Sequence, residues 1–527
     1  MKSKRFSTLK ILVGLFLCVS VLFPLILLIT HIQPEDFAKV ASSAQFWPMI
    51  GNSLLATTIS MIISVTLALG LAWCVNRSRI RYKSIFSVLF TLPMLIPSIS
   101  HGMGLVLLFG DNGILTNLLG INIHLYGLVG IVIGSVLYSF PVAFLMLTDI
   151  FRYEDYTVYE AAQVLGLSKW QQFVTITLPN LKAPLISIIF ATFTLIFTDY
   201  GVPLIVGGKM MTIPVYMYRE VIGLLDFSKG AILGLLLLIP AVIAFVIDLR
   251  SEDNGNVSTV TKPYQIGPNK RRDGLAYLLC IGTVVLVSLP LIAFAYLSFV
   301  RQYPIDMSLS LHNIKKAFTL GVDMYLVNSL AIALATSVLG TAVSYFTAFL
   351  TARSHRTFSN MTLHLISMVS LAVPGIVLGL SYVLFFKGTF IYGTIMILIL
   401  VNIIHFFASP YLLAYNSLCK FNENLEDVST TLGISRIRML LDVYLPCTQA
   451  TIVEMFSYFF VNCMVTISAV SFLANFKNMP LALLIPQFDS QSLIEATAFI
   501  SILILLVNGL LKISVFFIKR QLQKQEA

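Results

Sequence analysis

Apolar runs of about 20 residues recur along the whole chain, separated by shorter polar segments. Twelve of them are predicted to cross a membrane as helices: 11–30, 52–75, 85–109, 125–147, 185–206, 230–248, 275–298, 325–350, 360–386, 390–415, 450–473 and 493–511. Each approaches the ~20 apolar residues that span a hydrocarbon core of ~30 Å. Prolines inside 85–109 and 185–206 predict kinks there. The first run follows Lys2, Lys4, Arg5 and Lys10, as in a signal peptide. It is long for such a peptide's apolar region and has no clear small-x-small exit, so it reads as a retained anchor.

The pattern repeats. Leu22-Phe23-Pro24-Leu25 answers to Ser288-Leu289-Pro290-Leu291, and Asn52-Ser53-Leu54 to Asn328-Ser329-Leu330. Arg77-Ser78 returns as Arg353-Ser354 at an offset of 276, and Pro97 and Gly102 return as Pro374 and Gly379 at 277. The expectation is an all-α membrane protein of about twelve transmembrane helices in two tandem six-helix halves. These are 1–249 and 274–527, joined by a polar linker at 250–273 (Ser251 to Asn256, then Lys270-Arg271-Arg272). A parallel repeat of this kind has its pseudo-twofold axis along the membrane normal.

The best-matched pair of segments lies in the loops after the fourth and tenth runs. One reads Tyr159-Glu160-Ala161-Ala162-Gln163-Val164-Leu165-Gly166, then Ser168-Lys169-Trp170-Gln171 and Leu178-Pro179. The other reads Glu426-Asp427-Val428-Ser429-Thr430-Thr431-Leu432-Gly433, then Ser435 and Leu445-Pro446. Val158, Ala162 and Leu165, like Leu425, Val428 and Leu432, have the spacing of one apolar stripe on a short helix. Gly166 and Gly433 suit the left-handed turn that ends such a helix. Ser168 and Ser435 are placed to cap the next one, Ser168 with Gln171 as a capping box. The prolines are expected to reset the chain before the following span. One such loop reads equally well as an amphipathic connector on the bilayer surface. Two copies with the same internal spacing favour a docking device for a paired partner.

Composition agrees with a membrane chain. Of 527 residues, 57% are hydrophobic and 11% charged, about half the charge of a soluble chain, which excludes a water-soluble enzyme. The net charge of +10 reads as topology: 25 of the 34 basic residues fall in the termini and even-numbered loops, and 9 in the odd-numbered loops. By the positive-inside rule both termini are cytoplasmic, and no nucleic-acid partner is implied. Cys18, Cys74, Cys280, Cys419, Cys447 and Cys463 show no paired spacing and read as small apolar residues. No catalytic cluster or metal-ligand set is evident. Gly207-Gly208-Lys209-Met210 lacks the upstream Gly and the Ser or Thr of a phosphate loop.

Glu160-Ala161-Ala162 with Gly166, Ile176 and Leu178-Pro179 resembles the EAA loop of the permeases of binding-protein-dependent ABC importers. The second copy departs from it, with Asp427 for the Glu and Val428-Ser429 for the alanines, while Gly433 and Pro446 are kept. The resemblance implies a type I importer permease fold, with both halves fused as in Fe(III), thiamine and phosphonate importers. It implies that Glu160, Ala161, Ala162 and Gly166, and Asp427, Val428, Ser429 and Gly433, are coupling loops. These would seat two copies of a separate ATPase subunit, where ATP and Mg are bound. This chain would bind no cofactor and perform no chemistry. An extracytoplasmic solute-binding protein would deliver a small polar solute, because the outer loops of ~10–25 residues are too short for a binding domain. The location implied is a bacterial plasma (inner) membrane. Residues Thr198 to Gly208, and Tyr392 to Phe406, are most similar to 2-aminoethylphosphonate permeases, with Fe(III) and thiamine permeases as alternatives.

Asp199 is the acidic residue well inside an apolar run. A charge there is costly, about 2.5–3.5 kcal/mol on insertion scales, so it should face the bundle interior. There it would line the translocation path or brace the helix that breaks at Gly201 and Pro203. His101, Asn402, His405 and Asn462 read as interhelical hydrogen-bond partners, and Pro97 and Pro374 as kinks that serve gating. A twelve-helix secondary transporter is the competing class. It would carry a Gly/Asp/Arg-rich signature between the second and third spans, where Arg77 to Lys83 has no Gly or Asp.

Overall fold

The computed structural model describes residues 2–120, 123–152, 154–251, 262, 264–354, 357–422 and 424–526. Of the predicted linker, residues 252–261 and 263 lie outside them. Lys270-Arg271-Arg272 are already helical, in the first turn of Lys270–Leu297, where the Asn269 side chain accepts the Arg272 N–H at 3.2 Å.

Among the described residues nine helices are long and apolar enough to cross a membrane, and eleven if two bent pairs each count as one span. The expected twelve differ from this where prolines and polar residues interrupt the runs. The 85–109 run is three pieces, Lys83–Thr91, a 3-10 turn at Leu92–Leu95, and Ser98–Phe109. The 360–386 run bends by 108° between Phe358–Leu371 and Gly375–Phe386. Pro97 and Pro374 stand just before the second helix of each broken pair. Both are therefore helix starts after a break, not kinks in a continuous helix, because proline pushes its predecessor out of helical geometry. The 390–415 run bends by 51° between Ile395–His405 and Ala408–Cys419. The 450–473 run yields a 17-residue helix, Gln449–Val465, and then non-helical chain.

The chain forms two compact units. One comprises 41–216 and 239–309, the other 1–40, 217–238 and 310–527. The compact units and the sequence repeat divide the chain differently: the first apolar run of each half packs in the unit that holds the bulk of the other half.

In the first unit the Phe46–Arg77 helix lies along Leu128–Arg152, with Ser64 and Ser139 hydroxyls 2.9 Å apart. The small residues Ala68, Ala72 and Ala143 let the backbones approach, and Leu71, Phe90, Phe140, Phe144 and Leu147 fill the core beside Ala276, Cys280 and Val287. A hairpin, Val300–Gln302 with Asp306–Leu309, ends this unit. In the second unit Val322–Ala352 packs against Gln449–Val465 and Ala408–Cys419, fixed by Tyr345 to Thr448 (2.7 Å) and Thr351 to Tyr411 (2.9 Å). The Tyr382 hydroxyl donates to the Ser20 carbonyl (2.7 Å), which ties the first apolar run into the same unit.

The repeat is physical as well as textual. Asn52 donates to the Met211 carbonyl (3.1 Å) and Ser53 accepts from the Ile213 N–H (2.8 Å). Asn328 donates to the Lys477 carbonyl (3.0 Å) and Ser329 accepts from the Leu481 N–H (2.6 Å). The same Asn-Ser pair holds the equivalent segment in each unit.

Candidate functional site

The two repeat loops share one backbone design. The helices Thr157–Val164 and Leu425–Thr431 end at Gly166 (φ +77°) and Gly433 (φ +72°). In the first, the Leu167 N–H donates to the Ala162 carbonyl (3.0 Å) and the Gly166 N–H to Gln163 (3.0 Å). In the second, Ile434 donates to Ser429 (2.8 Å) and Gly433 to Thr430 (3.1 Å). These paired bonds satisfy the last carbonyls and need a left-handed residue between them, which glycine supplies without a Cβ clash. Ser168 and Gln171 form the expected capping box (2.8 and 3.3 Å), and Ser435 caps with the Arg438 N–H (3.2 Å).

Beyond the caps Pro179 does not reset the chain, whereas the second loop breaks at Thr448, two residues after Pro446 and just before Gln449–Val465. Each loop continues through a π-helical turn, Phe173–Thr177 or Leu440–Tyr444, directly before Leu178-Pro179 or Leu445-Pro446. The wider turn shifts the carbonyl that a proline ring would otherwise strike. Lys169–Phe197 is consequently one helical span.

Most of the apolar stripe faces outward, although Ala162 of the first stripe is buried and Leu425 of the second half-buried. Tyr159 and Ala162 are buried in the first loop and Ser429 in the second. Val158, Val428 and Leu432 are exposed, with Val164 at 88%, Leu165 at 78% and Trp170 at 72%. Ala161, Asp427, Gly166 and Gly433 lie on the open side too, and Glu160 is half-buried. Each loop thus presents apolar side chains outward from its turn. Its inner face is polar, because it is seated on a buried arginine.

That arginine is the residue the motif reading missed. Arg77 and Arg353, noted above only as landmarks, end the Phe46–Arg77 helix and follow the Val322–Ala352 helix, and both are buried. Arg353 binds Glu426 through Nε (2.7 Å), the Asn422 and Phe421 carbonyls (2.8 and 3.0 Å), and the Tyr444 hydroxyl (3.1 Å). Tyr444 donates to Glu426 at 2.6 Å. Burial pushes the Glu426 carboxyl up, but hydrogen bonds from Arg353 and Tyr444 outweigh it and leave the group below its ordinary 4.5. Burial and the Glu426 carboxylate together push Tyr444 up to about 12.

Arg77 pairs with Glu154 instead, which lies before the loop helix, and stacks on Tyr264 at 3.2 Å from the ring centre. Tyr159, the positional counterpart of Glu426, links Glu154 (3.1 Å) to Thr177 (2.8 Å), the counterpart of Tyr444. The repeated Arg at the end of the second span was the sequence signal for both anchors.

The first loop has a second layer. Lys262 accepts the Tyr156 N–H on its carbonyl (2.9 Å) and pairs through its ammonium with Glu160, and Tyr264 packs edge-on to Tyr156 and Tyr159. The charged residue of the motif is thus held by the chain's own linker.

Asp199 lies in the break of the fifth run, between Leu178–Phe197 and Gly201–Val206. Its carboxylate accepts from the Ser98 hydroxyl (2.6 Å), Val202 N–H (3.0 Å) and Gly201 N–H (3.3 Å), bracing the short helix Gly201–Val206 that contains Pro203. Beside it is a small cavity lined by Ser53, Thr57, Ser135, Thr212 and Pro203. The short helix packs so tightly that a Cβ on Gly102 would meet Ile205 at 3.0 Å; its counterpart Gly379 would meet the Ala469 carbonyl at 2.6 Å.

Among the other polar residues, His101 binds the Pro93 carbonyl (3.1 Å) across the break in its own run. Asn402 and Asn462 donate to Leu398 and Tyr458 of their own helices (both 2.8 Å), not to neighbouring ones, and the His405 ring packs at a tilt of 52° against Phe406.

Residues 62–251 and 340–525 each match the family described as binding-protein-dependent transport system inner membrane component. The chain belongs to that family, whose domain it carries twice. It is 26% identical to the ferric transport system permease protein FbpB of Actinobacillus pleuropneumoniae over 459 residues, which cover 84% of this chain and 66% of that protein, just under two thirds of it. A protein of Haemophilus influenzae named provisionally as ferric transport system permease protein FbpB 1 is 26% identical over 457 residues, 84% of this chain and 72% of that protein. The sulfate transport system permease protein CysT of Escherichia coli K12 is 26% identical over 207 residues, 37% of this chain and 73% of that protein.

Proposed function

We propose that this chain is the fused permease of a binding-protein-dependent ABC importer, set in a bacterial inner membrane with both termini cytoplasmic. The observation that carries the proposal is the pair of loops, each with an outward apolar turn on an arginine-anchored base, in a chain of this family. Exposed apolar groups so placed call for a partner. One ATPase subunit docks at Glu160, Ala161 and Gly166, and a second at Asp427, Val428 and Gly433, with Ala162 and Ser429 buried behind these surfaces. ATP and Mg stay on those subunits, and a solute-binding protein serves the opposite face. In the test, the chain is purified with its neighbouring ATPase. Gly166→Asp combined with Gly433→Asp is expected to release that subunit, and transport driven by an ion gradient with no ATPase would establish the twelve-helix secondary transporter instead.

For the substrate, the relatives support Fe(III) over 2-aminoethylphosphonate, since two of the three above are ferric permeases and the third is a sulfate permease. The binding protein encoded beside this chain is expected to bind Fe(III) and not 2-aminoethylphosphonate, as titration with each will tell.

Within the membrane, we infer that Asp199 and Pro203 form the translocation path, with Pro97 and Pro374 as the hinge positions of gating. Asp199 already serves as a cap, so two variants divide the roles. Asn keeps a side-chain acceptor and Ala does not, which costs about 1 kcal/mol. Loss of uptake in Asp199→Asn at unchanged thermal stability supports the path role; normal uptake in that variant removes it.

A further inference from the structure

Within the first compact unit, a groove of about 820 Å³ runs between the Phe46–Arg77 and Lys270–Leu297 helices. Leu67, Trp73, Leu275, Leu278, Leu279 and Leu286 line it, and Arg272 stands at one end. Arg272 to Leu286 is about 21 Å along a helix axis, enough for the chain of one leaflet of a ~30 Å core. Both helices are membrane spans, so the groove meets hydrocarbon along its length.

The end at Arg272 is strongly basic. The Arg79 N–H donates to the Asp273 carboxylate (3.0 Å) and the Arg81 N–H to the Tyr277 hydroxyl (2.6 Å), which seats residues 79–83 beside the first turns of Lys270–Leu297. Asp273, the carboxylate there, is taken by Arg272 (2.7 Å) and that Arg79 N–H. Among the described residues Arg81, Lys270 and Arg271 form no ion pair, and Lys83 lies near enough to Arg272 and Asp273 to feel both charges, so the single carboxylate is shared among several cations. Neutral lipid would fill the apolar groove equally well; it is the excess of cations over the one carboxylate, gathered around Arg272 at the groove's end, that selects for a phosphate of net negative charge.

We propose that this groove is a binding site for an anionic phospholipid, with an acyl chain along the leucines and its headgroup phosphate at Arg81, Lys83, Lys270 and Arg271. Placement in the inner leaflet rests on the orientation proposed above; the binding itself does not. The test is native mass spectrometry of the full chain, purified in detergent and exposed to equal phosphatidylglycerol and phosphatidylcholine of the same chain length. Because it requires neither orientation nor ATPase, its outcome is independent of the transport reading.

One phosphatidylglycerol is expected to be retained, preferred by about tenfold or more. The variant Arg81→Gln, Lys83→Gln, Lys270→Gln, Arg271→Gln should abolish the preference while leaving weak binding of both lipids. Nothing lies within 4 Å of a Cβ built on Gly282, so Gly282→Phe should fill the groove at unchanged melting temperature and abolish retention. Equal retention of the two lipids by the unaltered chain would overturn the proposal. So would full retention in Gly282→Phe, or equal competition by glycerol phosphate, which would reduce the site to a basic patch.

Discussion

The two repeat loops follow the same path with different wiring. In the second, the carboxylate that meets the arginine is part of the loop helix itself, Glu426, and Tyr444 closes a three-way cluster with Arg353. In the first, the acid has moved out to Glu154, a tyrosine occupies the vacated position, and an aromatic from the linker covers the arginine. The backbone turn depends on glycine, serine and hydrogen bonds at fixed spacing and so tolerates little change. The anchor requires only that a buried guanidinium meet a carboxylate, and that can be supplied from either side of the loop helix. A docking device can therefore keep its outer shape while its inner attachments diverge.

The largest effect should come from breaking the anchors. Removing one partner of a buried ion pair leaves an uncompensated charge and costs about 3–5 kcal/mol. Arg77→Ala and Arg353→Ala are each expected to lower thermal stability by that order, with faster proteolysis confined to the loop concerned. A loss below about 1 kcal/mol for either would refute its role as an anchor. Glu154→Gln should perturb only the first loop and Glu426→Gln only the second. If Glu426→Gln loosened both, the two anchors would not be independent.

Next come the turns. Gly166→Ala and Gly433→Ala should each cost about 1–2 kcal/mol, the penalty for an L-residue in left-handed geometry, since no neighbour lies within 4 Å of either built Cβ. Equal values would show that the turns are equivalent even though the anchors differ.

Two smaller effects separate the loops. Lys262→Ala removes a half-exposed ion pair worth about 0–1 kcal/mol, so stability should barely change. It should free Glu160, however, and raise the affinity of the first loop for its ATPase, with no change at Asp427; unchanged affinity at both loops would show that the linker does not compete with the partner.

Acid should act on the second anchor. Because the Glu426 carboxyl is held below its ordinary 4.5 in the folded chain, its contribution is complete above that value and is lost as pH falls through the lowered one. Protease protection of residues 424–448 should therefore hold at pH 7 and fade below about pH 4.5. Glu426→Gln should remove that dependence.

Much of this was legible in the sequence because it is local. The Gly-to-Ser spacing foretold the turns, and the capping box at Ser168 and Gln171 formed as its pattern required. The stripe of Val158, Ala162 and Leu165 was legible as a helix face, but not that Val158 and Leu165 point outward while Ala162 is buried. Which face is buried depends on what lies beneath, and a buried arginine favours tyrosine, serine and glutamate over valine and leucine. Asp199 was legible as a buried acid at a helix break. That its carboxylate is occupied by Ser98, Gly201 and Val202 required Ser98 to be brought from a helix about a hundred residues away.

The sequence by itself determined the membrane class, the two tandem copies and the positions of the turns. These follow from hydropathy over ~20 residues and from backbone constraints acting over a few residues. Only the tertiary structure decided which apolar runs pack together. It places 1–40 with 310–527, and 239–309 with 41–216, an exchange that hydropathy cannot register because apolar helices are interchangeable to lipid. Only packing, through small residues and a few hydrogen bonds such as Tyr382 to Ser20, distinguishes one neighbour from another. The anchors belong to the same category. An arginine at the end of a span reads as topology until the fold sets a carboxylate against it.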